Sequence, residues 1–491
     1  MSISPLLEIV GATTQGSWSE TNKKAFDSLF GSQDGRYSVS AAKSVTLRAP
    51  EMNTDSGVPF AAYIHPSNPP SGPYSGLSFV IFPVPNEQCL VGLVVGTQGL
   101  TPDEAILGRP GHARKAQAIC SWLNEAYGRG RLVAWAKQDP TRNDVTVPDS
   151  VRQVWPGYKS VFDRYGKEIY ALYCPTPDRT GTEKAATALL DLLFEERGFQ
   201  PLASSMASYE SIRGDWFEHL MPGIERPTVA NLLAARRYVI IQGPPGTGKT
   251  MMATELLREQ YAGRGRTIQF HPNTTYENFI GGLAPTSTNS GGLGFQFSPT
   301  QGSLMEAAAQ AVADPSHDYL LHIDEINRAD LGKILGEAIF LLEVISGSDR
   351  HIQLPYEFGE PFHRTFFLPK NLHILGTMNS ADRSIAIVDV AVRRRFAFVS
   401  LWPRMSVVEQ FGCATMQKAF KELLSIFVEH AAEDSFPLVP GHSYFLESDE
   451  TRAKQSLQVN LAPLLEEYLT QGYVSGFAEP IRGYLQMLKS L

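Results

Sequence analysis

Residues 243–250 read GPPGTGKT, a run whose residue types and spacing suit one kind of chemistry. Gly243, Gly246 and Gly248, with Pro244, Pro245 and Thr247 between them, let successive backbone N–H groups turn inward on an anion. Lys249 adds a long cationic arm, and Thr250 offers a hydroxyl to Mg²⁺. A second run, residues 319–325, is an apolar stretch ending in Asp324 and Glu325. Asp324 is expected to hold Mg²⁺ directly or through water, and Glu325 to orient or deprotonate an attacking water. Phosphoryl transfer asks mainly for such positioning and charge neutralisation. A third run, GTMNSADR at 376–383, offers Asn379, an amide suited to holding that water or touching a terminal phosphate. Last come Arg393, Arg394 and Arg395. A guanidinium supplied by a neighbouring subunit stabilises γ-phosphate charge. Only one or two of the three fit that role, so one is expected to be structural. Plainer roles compete: Asp324 as a helix N-cap, Asn379 in an ordinary turn, the arginines as cations at a helix C-terminus.

These residues need a frame. The β-favouring residues 238–242 run into the glycine-rich loop and 251–260 have helical spacing, so the loop sits between a strand and a helix N-terminus, whose positive end favours phosphate. Further strands are expected at 266–270, 319–324, 372–377 and 396–401, with helices at 228–237, 302–313 and 328–344. That alternation calls for a parallel three-layer αβα sheet. Residues 404–491 carry apolar residues at three- and four-residue spacing, notably at 407–411, 416–431 and 457–468, and read as a helical lid. Residues 1–205 mix strands at 60–64, 77–83 and 89–96 with helices at 21–30, 113–127 and 183–197. The result is an α+β N-terminal domain, followed by a connector near 198–226 and a nucleotide-binding domain over 206–403. A Gly/Ser/Thr-rich loop is expected at 283–294, and residues 275–285 with the loop running to Phe297 read either as a pore-facing or partner-facing surface or as a plain surface loop.

The totals narrow the classes. At 491 residues the chain is too long for one core. With 43% hydrophobic and 19% charged residues and a net charge of −8, it has no bulk field for nucleic acid. Residues 1–205 hold 19 Lys+Arg against 20 Asp+Glu, so a DNA contact would need a local patch. Two small basic clusters, 108–117 and 128–131, lie near Trp122 and Trp135; they read either as a nucleic-acid contact or as a solvated loop and helix start, with both tryptophans in the core. Cys89, Cys120, Cys174 and Cys413 stand far apart, like reduced cysteines of a cytoplasmic protein, and neither a signal peptide nor a membrane span is expected. No nuclease constellation stands out.

The ordered series GPPGTGKT, FHPNTTYENFIGGLAP (270–285), HIDEINRADLGKILGE (322–337), ILGTMNSADRSIAIVDVAVRRRF (374–396) and PGHSYFL (440–446) resembles the AAA+ motor subunit of McrB-type restriction systems, within the dynein-related/MoxR-like branch. The resemblance covers about residues 215–450 and implies an α/β AAA+ P-loop NTPase with a C-terminal helical lid. It further implies Lys249 and Thr250 on phosphate and Mg²⁺, Asp324 and Glu325 as the Walker B pair, Asn379 as the sensor, and Arg393 and Arg394 as finger candidates. Relatives of this type form hexameric rings, the McrB type uses GTP, a separate McrC-like nuclease subunit cuts, and the N-terminal domain recognises DNA. The residues themselves leave GTP or ATP open. Two other readings remain: a MoxR-like chaperone remodelling a protein target, and a nucleotide-dependent switch with negligible turnover.

Overall fold

A computed structural model describes residues 6, 8, 18–31, 35–48, 58–69, 71–84, 86–287, 295–343, 350–380 and 389–490. Its contacts divide the chain into two compact units, residues 1–221 with 425–433, and residues 222–424 with 434–491.

In the first unit, six strands form one antiparallel sheet: β1 (Thr46–Arg48), β2 (Ala61–Ile64), β3 (Leu77–Phe82), β4 (Leu90–Val95), β5 (Ala134–Ala136) and β6 (Ile169–Tyr173), in the order β1-β2-β3-β4-β6-β5. Strands β2, β3, β4 and β6 are buried at every residue, which is why they read as unbroken apolar runs. One face packs on Val151, Trp155, Tyr158 and Phe162. On the other, Phe194 of the helix Arg179–Glu196 meets Phe30, Tyr37 and Tyr63.

The connector expected near 198–226 contains a packed helix instead. Ala203–Phe217 buries Ser205, Tyr209, Ile212 and Trp216, and Tyr209 donates to Glu195 Oε2 at 2.9 Å. Its small polar residues concealed a four-residue buried stripe, and the division between units falls at Met221, beyond the expected 205/206 break.

The cluster at 108–117 is largely spent inside this unit. His112 and Lys115 are buried; Lys115 Nζ lies 2.5 Å from Glu196 and 2.6 Å from Glu429, and Arg109 also pairs with Glu196. Trp122 is in the core, whereas Arg129 and Arg131 remain exposed. Burial pushes the Glu196 carboxyl up, but the His112 ring 3.4 Å away and the Lys115 ammonium outweigh it and hold it down at about 2. A carboxyl depressed on folding contributes stability above its unfolded value and loses it as pH falls through the folded one. The expected loss therefore runs from about pH 4.5 toward about 2. Glu196→Gln removes that loss and destabilises the protein at pH 7 by about 3 kcal/mol, because Lys115 stays buried beside a neutral amide. Thermal unfolding of both chains at pH 7 and pH 3 measures each effect.

The second unit contains β7 (Tyr238–Gly243), β8 (Gly265–Gln269), β9 (Gly281–Ser287), β10 (Phe295–Gln301), β11 (Tyr319–Asp324), β12 (Ile352–Gln353), β13 (Thr365–Phe366), β14 (Leu372–Asn379) and β15 (Ala397–Ser400). Five of them make a wholly parallel sheet, β15-β7-β14-β11-β8. Strand alternation divides its apolar residues between two layers. Tyr238, Ile240, Leu321, Ile323, Leu372 and Ile374 pack on the helix Ser303–Ala313 and on residues 331–342. Val239, Ile241, Leu320 and Leu375 face the helices Arg226–Arg236 and Lys249–Glu259. The α/β three-layer architecture and its C-terminal helical region, including Met405–Phe411, Ala462–Thr470 and Ala478–Ser490, are those the strand and helix alternation called for.

Two expectations are corrected. The single helix at 328–344 is three pieces: a 3₁₀ turn Ile326–Arg328, the helix Leu331–Leu335 capped by Asp330, and a 3₁₀ stretch Gly336–Leu342. Gly336, at φ 48°, interrupts it. Of the loop expected at 283–294, residues 283–287 are instead part of β9, which pairs with β10 from Gly281↔Gln301 to Ser287↔Phe295, with Leu283 and Phe297 exposed. Residues 288–294 lie outside the described residues, as do Asp382 and Arg383 of the third motif.

Candidate active site

Strands β7, β11 and β14 end side by side, and their C-terminal ends deliver the polar residues the motifs singled out. β7 runs into the glycine-rich loop. Gly246 and Gly248 sit at φ 80° and 83°, a conformation that favours glycine, and Gly248 precedes the first turn of the helix Lys249–Glu259. Lys249 is buried and its Nζ donates to the carbonyls of Gly243 (3.0 Å) and Pro244 (2.7 Å). Burial pushes this ammonium down to about 8, although Glu325 and Asp324 pull the other way. A cation this poorly solvated gains from an incoming phosphate.

At the end of β11, Asp324 Oδ1 accepts from the Thr250 hydroxyl at 3.0 Å and from the Thr377 hydroxyl. Asp324 is thus the last strand residue, and the helix N-cap is Asp330. Glu325 sits at φ 52°, ψ 45°, a left-handed conformation that costs a non-glycine residue about 1 kcal/mol. In that conformation its Oε1 accepts from Asn379 Nδ2 at 2.6 Å, while Arg328 Nε lies 3.5 Å from Oε2. Asn379 is the final residue of β14, two positions after Thr377, so both side chains leave the same face of that strand.

An open cavity of about 270 Å³ is lined by Gly246, Gly248, Lys249, Thr250, Asp324, Glu325, Thr377 and Asn379, joined by Ser443 from the C-terminal region. The sequence PGHSYFL lies directly on the glycine-rich loop: the Gly441 N–H donates to Pro245 O at 2.9 Å and the Ser443 N–H to Gly246 O at 3.0 Å. A Cβ on Gly441 would come within 2.1 Å of the Gly246 carbonyl carbon, so only glycine permits this approach. Gly243, Pro244, Pro245 and Thr247 complete the loop without lining the cavity; Thr247 ties it internally, donating to Pro244 O at 3.0 Å.

The arginines divide. Arg395 is buried, donating to Ala391 O at 2.6 Å and lying 3.0 Å from Glu343. Arg394 is largely exposed, 3.7 Å from Glu343, and Arg393 is exposed with its guanidinium 5.2 Å from the Phe398 ring centre. None of the three lines the cavity of its own chain. Thr377 and Ser443 are the polar cavity residues that motif reading passed over. Thr377 had a signal, two places before Asn379 on a strand; Ser443 had none beyond its place in PGHSYFL.

The residues present fit a Mg²⁺-nucleotide. A hydroxyl and a carboxylate oxygen 3.0 Å apart make a sparse, hard-oxygen pair, suited to a cation that fills its other positions with water and phosphate oxygens. The parallel sheet, the glycine-rich loop and the acidic strand end define the class: an AAA+ P-loop NTPase domain, for which nucleotide and Mg²⁺ binding are general properties. Residues 238–396 match the family model of the AAA domain of the dynein-related subfamily. The chain is also 30% identical over 356 residues to the EcoKMcrB subunit of the type IV methyl-directed restriction enzyme of Escherichia coli (strain K12), across 66% of this chain and 75% of that protein. It is 26% identical over 206 residues to component YdiS of the type II restriction enzyme BsuMI of Bacillus subtilis (strain 168), across 35% of this chain and 59% of that protein. The chain belongs to the McrB-related family of AAA+ restriction proteins. No described helix is long and apolar enough to cross a membrane.

Proposed function

We propose that this protein is a nucleoside triphosphatase acting as the ring-forming motor subunit of a restriction system directed against foreign DNA. In this reading GTP or ATP binds in the cavity with its phosphates on residues 243–250, and Thr250 and Asp324 hold Mg²⁺, which neutralises phosphate charge. Lys249 turns from the loop carbonyls to the phosphates, Glu325 takes a proton from the attacking water, and Asn379 holds Glu325 in place. Arg393 or Arg394 of a neighbouring copy completes the site in a hexameric ring. The N-terminal unit recognises DNA or another target, and a separate McrC-like nuclease subunit cuts.

The observation that carries this reading is the meeting of Lys249, Thr250, Asp324, Glu325 and Asn379 around one cavity. Similarity to two restriction-enzyme components favours a restriction partner over a chaperone substrate. The test is steady-state phosphate release by the full chain with GTP and with ATP, alone and with the nuclease subunit of its own system. The reading expects Mg²⁺-dependent turnover of at least one nucleotide that rises when the nuclease is added. Turnover absent with both nucleotides, with and without the nuclease, would leave a nucleotide-dependent switch in its place.

A further inference from the structure

The face of the sheet that carries Asp324 holds a buried histidine where the packing calls for an apolar residue. His322 is wholly buried on β11, between Leu320 and Asp324, on the face whose neighbours include Leu320 and Leu375. An imidazole there forfeits hydration that a leucine would never need, and such a group persists where its hydrogen bonds are specific. Both ring nitrogens have partners. Nδ1 lies 3.2 Å from Thr267 Oγ1, the residue directly across from His322 on β8, and Nε2 lies 3.4 Å from Thr377 Oγ1 on β14.

Counting protons orders this row. The single hydroxyl hydrogen of Thr377 goes to Asp324 Oδ1, since an ionised carboxylate only accepts. Thr377 Oγ1 must therefore accept from His322, which puts the ring hydrogen on Nε2. Nδ1 is then an acceptor, and Thr267 donates to it. The row runs in one direction, Thr267 to His322 to Thr377 to Asp324, and Thr250 donates to the same carboxylate oxygen from the glycine-rich loop.

We propose that His322 is a positioning residue for the cation-binding carboxylate: its Nε2–H fixes the Thr377 hydroxyl, and that hydroxyl fixes one oxygen of Asp324. The inference rests on the reading that Asp324 and Thr250 take Mg²⁺. A metal-binding group is commonly oriented by hydrogen-bonded neighbours whose removal costs about 10- to 100-fold in metal affinity. Here the orienting row crosses three adjacent strands, so the carboxylate's direction is set by sheet register.

The experiment uses the full chain and a fluorescent, non-hydrolysable analogue of whichever nucleotide the wild type turns over. Nucleotide affinity is titrated with Mg²⁺ and measured separately in EDTA. His322→Leu and Thr377→Val are each expected to raise the Mg²⁺ concentration for half-saturation about tenfold, and His322→Leu, which lies outside the cavity lining, to leave affinity in EDTA unchanged. The double variant is expected to match either single one, because both break the same row. Thr267→Val, which removes only the donor to Nδ1, is expected to raise it about threefold, and it carries the test if His322→Leu does not fold. Wild-type Mg²⁺ half-saturation in His322→Leu, or in Thr267→Val where that variant stands in, overturns the inference, as do single effects that multiply in the double variant. A purely packing role would lower the melting temperature and weaken both affinities together. A wild-type affinity indifferent to Mg²⁺ would instead sink the proposed nucleotide site, and the inference with it.

Discussion

Glu325→Gln is expected to lower steady-state phosphate release by about a thousandfold while nucleotide affinity does not weaken. The amide keeps the size of the carboxylate and an oxygen for Asn379 Nδ2, which now lies 2.6 Å from Glu325 Oε1. What disappears is the basic oxygen, the one feature of this side chain that removes a proton from water. Binding survives because the groups assigned to phosphate and Mg²⁺ are Lys249, Thr250 and Asp324, and losing a negative charge beside them relieves repulsion with the phosphates. Phosphate-release kinetics paired with equilibrium nucleotide titration separate the two effects. Full turnover in the variant would remove Glu325 from the chemistry, and lost binding would make its role structural.

The joint substitution Arg393→Ala, Arg394→Ala is expected to have an effect at least as large, about a thousandfold or more on turnover. Both side chains are exposed and outside the cavity of their own chain, so neither substitution disturbs the residues that line it. Arg395→Ala, by contrast, breaks the pair with Glu343 and leaves that carboxylate partly buried, so its expected effect is on thermal stability. The contrast between adjacent arginines follows from their burial, and it distinguishes a finger from a run of cations favourable to a helix C-terminus. If the joint variant turns over normally at concentrations where the wild type is assembled, no guanidinium from this triplet reaches a phosphate.

The residues that meet at the candidate cavity were legible because each announced itself locally. Glycines before a lysine at the end of an apolar run, or two carboxylates closing a strand, need no knowledge of what lies opposite. The partners that hold them were not legible. His322 reads only as a departure from an apolar strand until β8 and β14 are set beside β11, when Thr267 and Thr377 fall on either side of it. The proximity of Ser443 to residue 246 likewise depends on a return of the chain across nearly two hundred residues. Among the elements, Tyr319–Asp324 stands where its apolar residues indicate, whereas the stretch after it breaks at Gly336, a glycine whose φ of 48° no periodicity reveals. The helix Ala203–Phe217 escaped for the opposite reason, since its buried Ser205, Tyr209, Ile212 and Trp216 are scattered through a run that otherwise reads as small and polar.

The central claim is that each hydrolytic centre combines Glu325 of one copy with Arg393 or Arg394 of the next. Mixing two inactive chains tests it most directly: Glu325→Gln with Arg393→Ala, Arg394→Ala, assembled together and assayed for phosphate release. Where an intact glutamate meets an intact arginine across a boundary the centre is whole, so the mixture is predicted to regain activity that neither chain has alone. A mixture that co-assembles and stays silent at every ratio would contradict the shared centre.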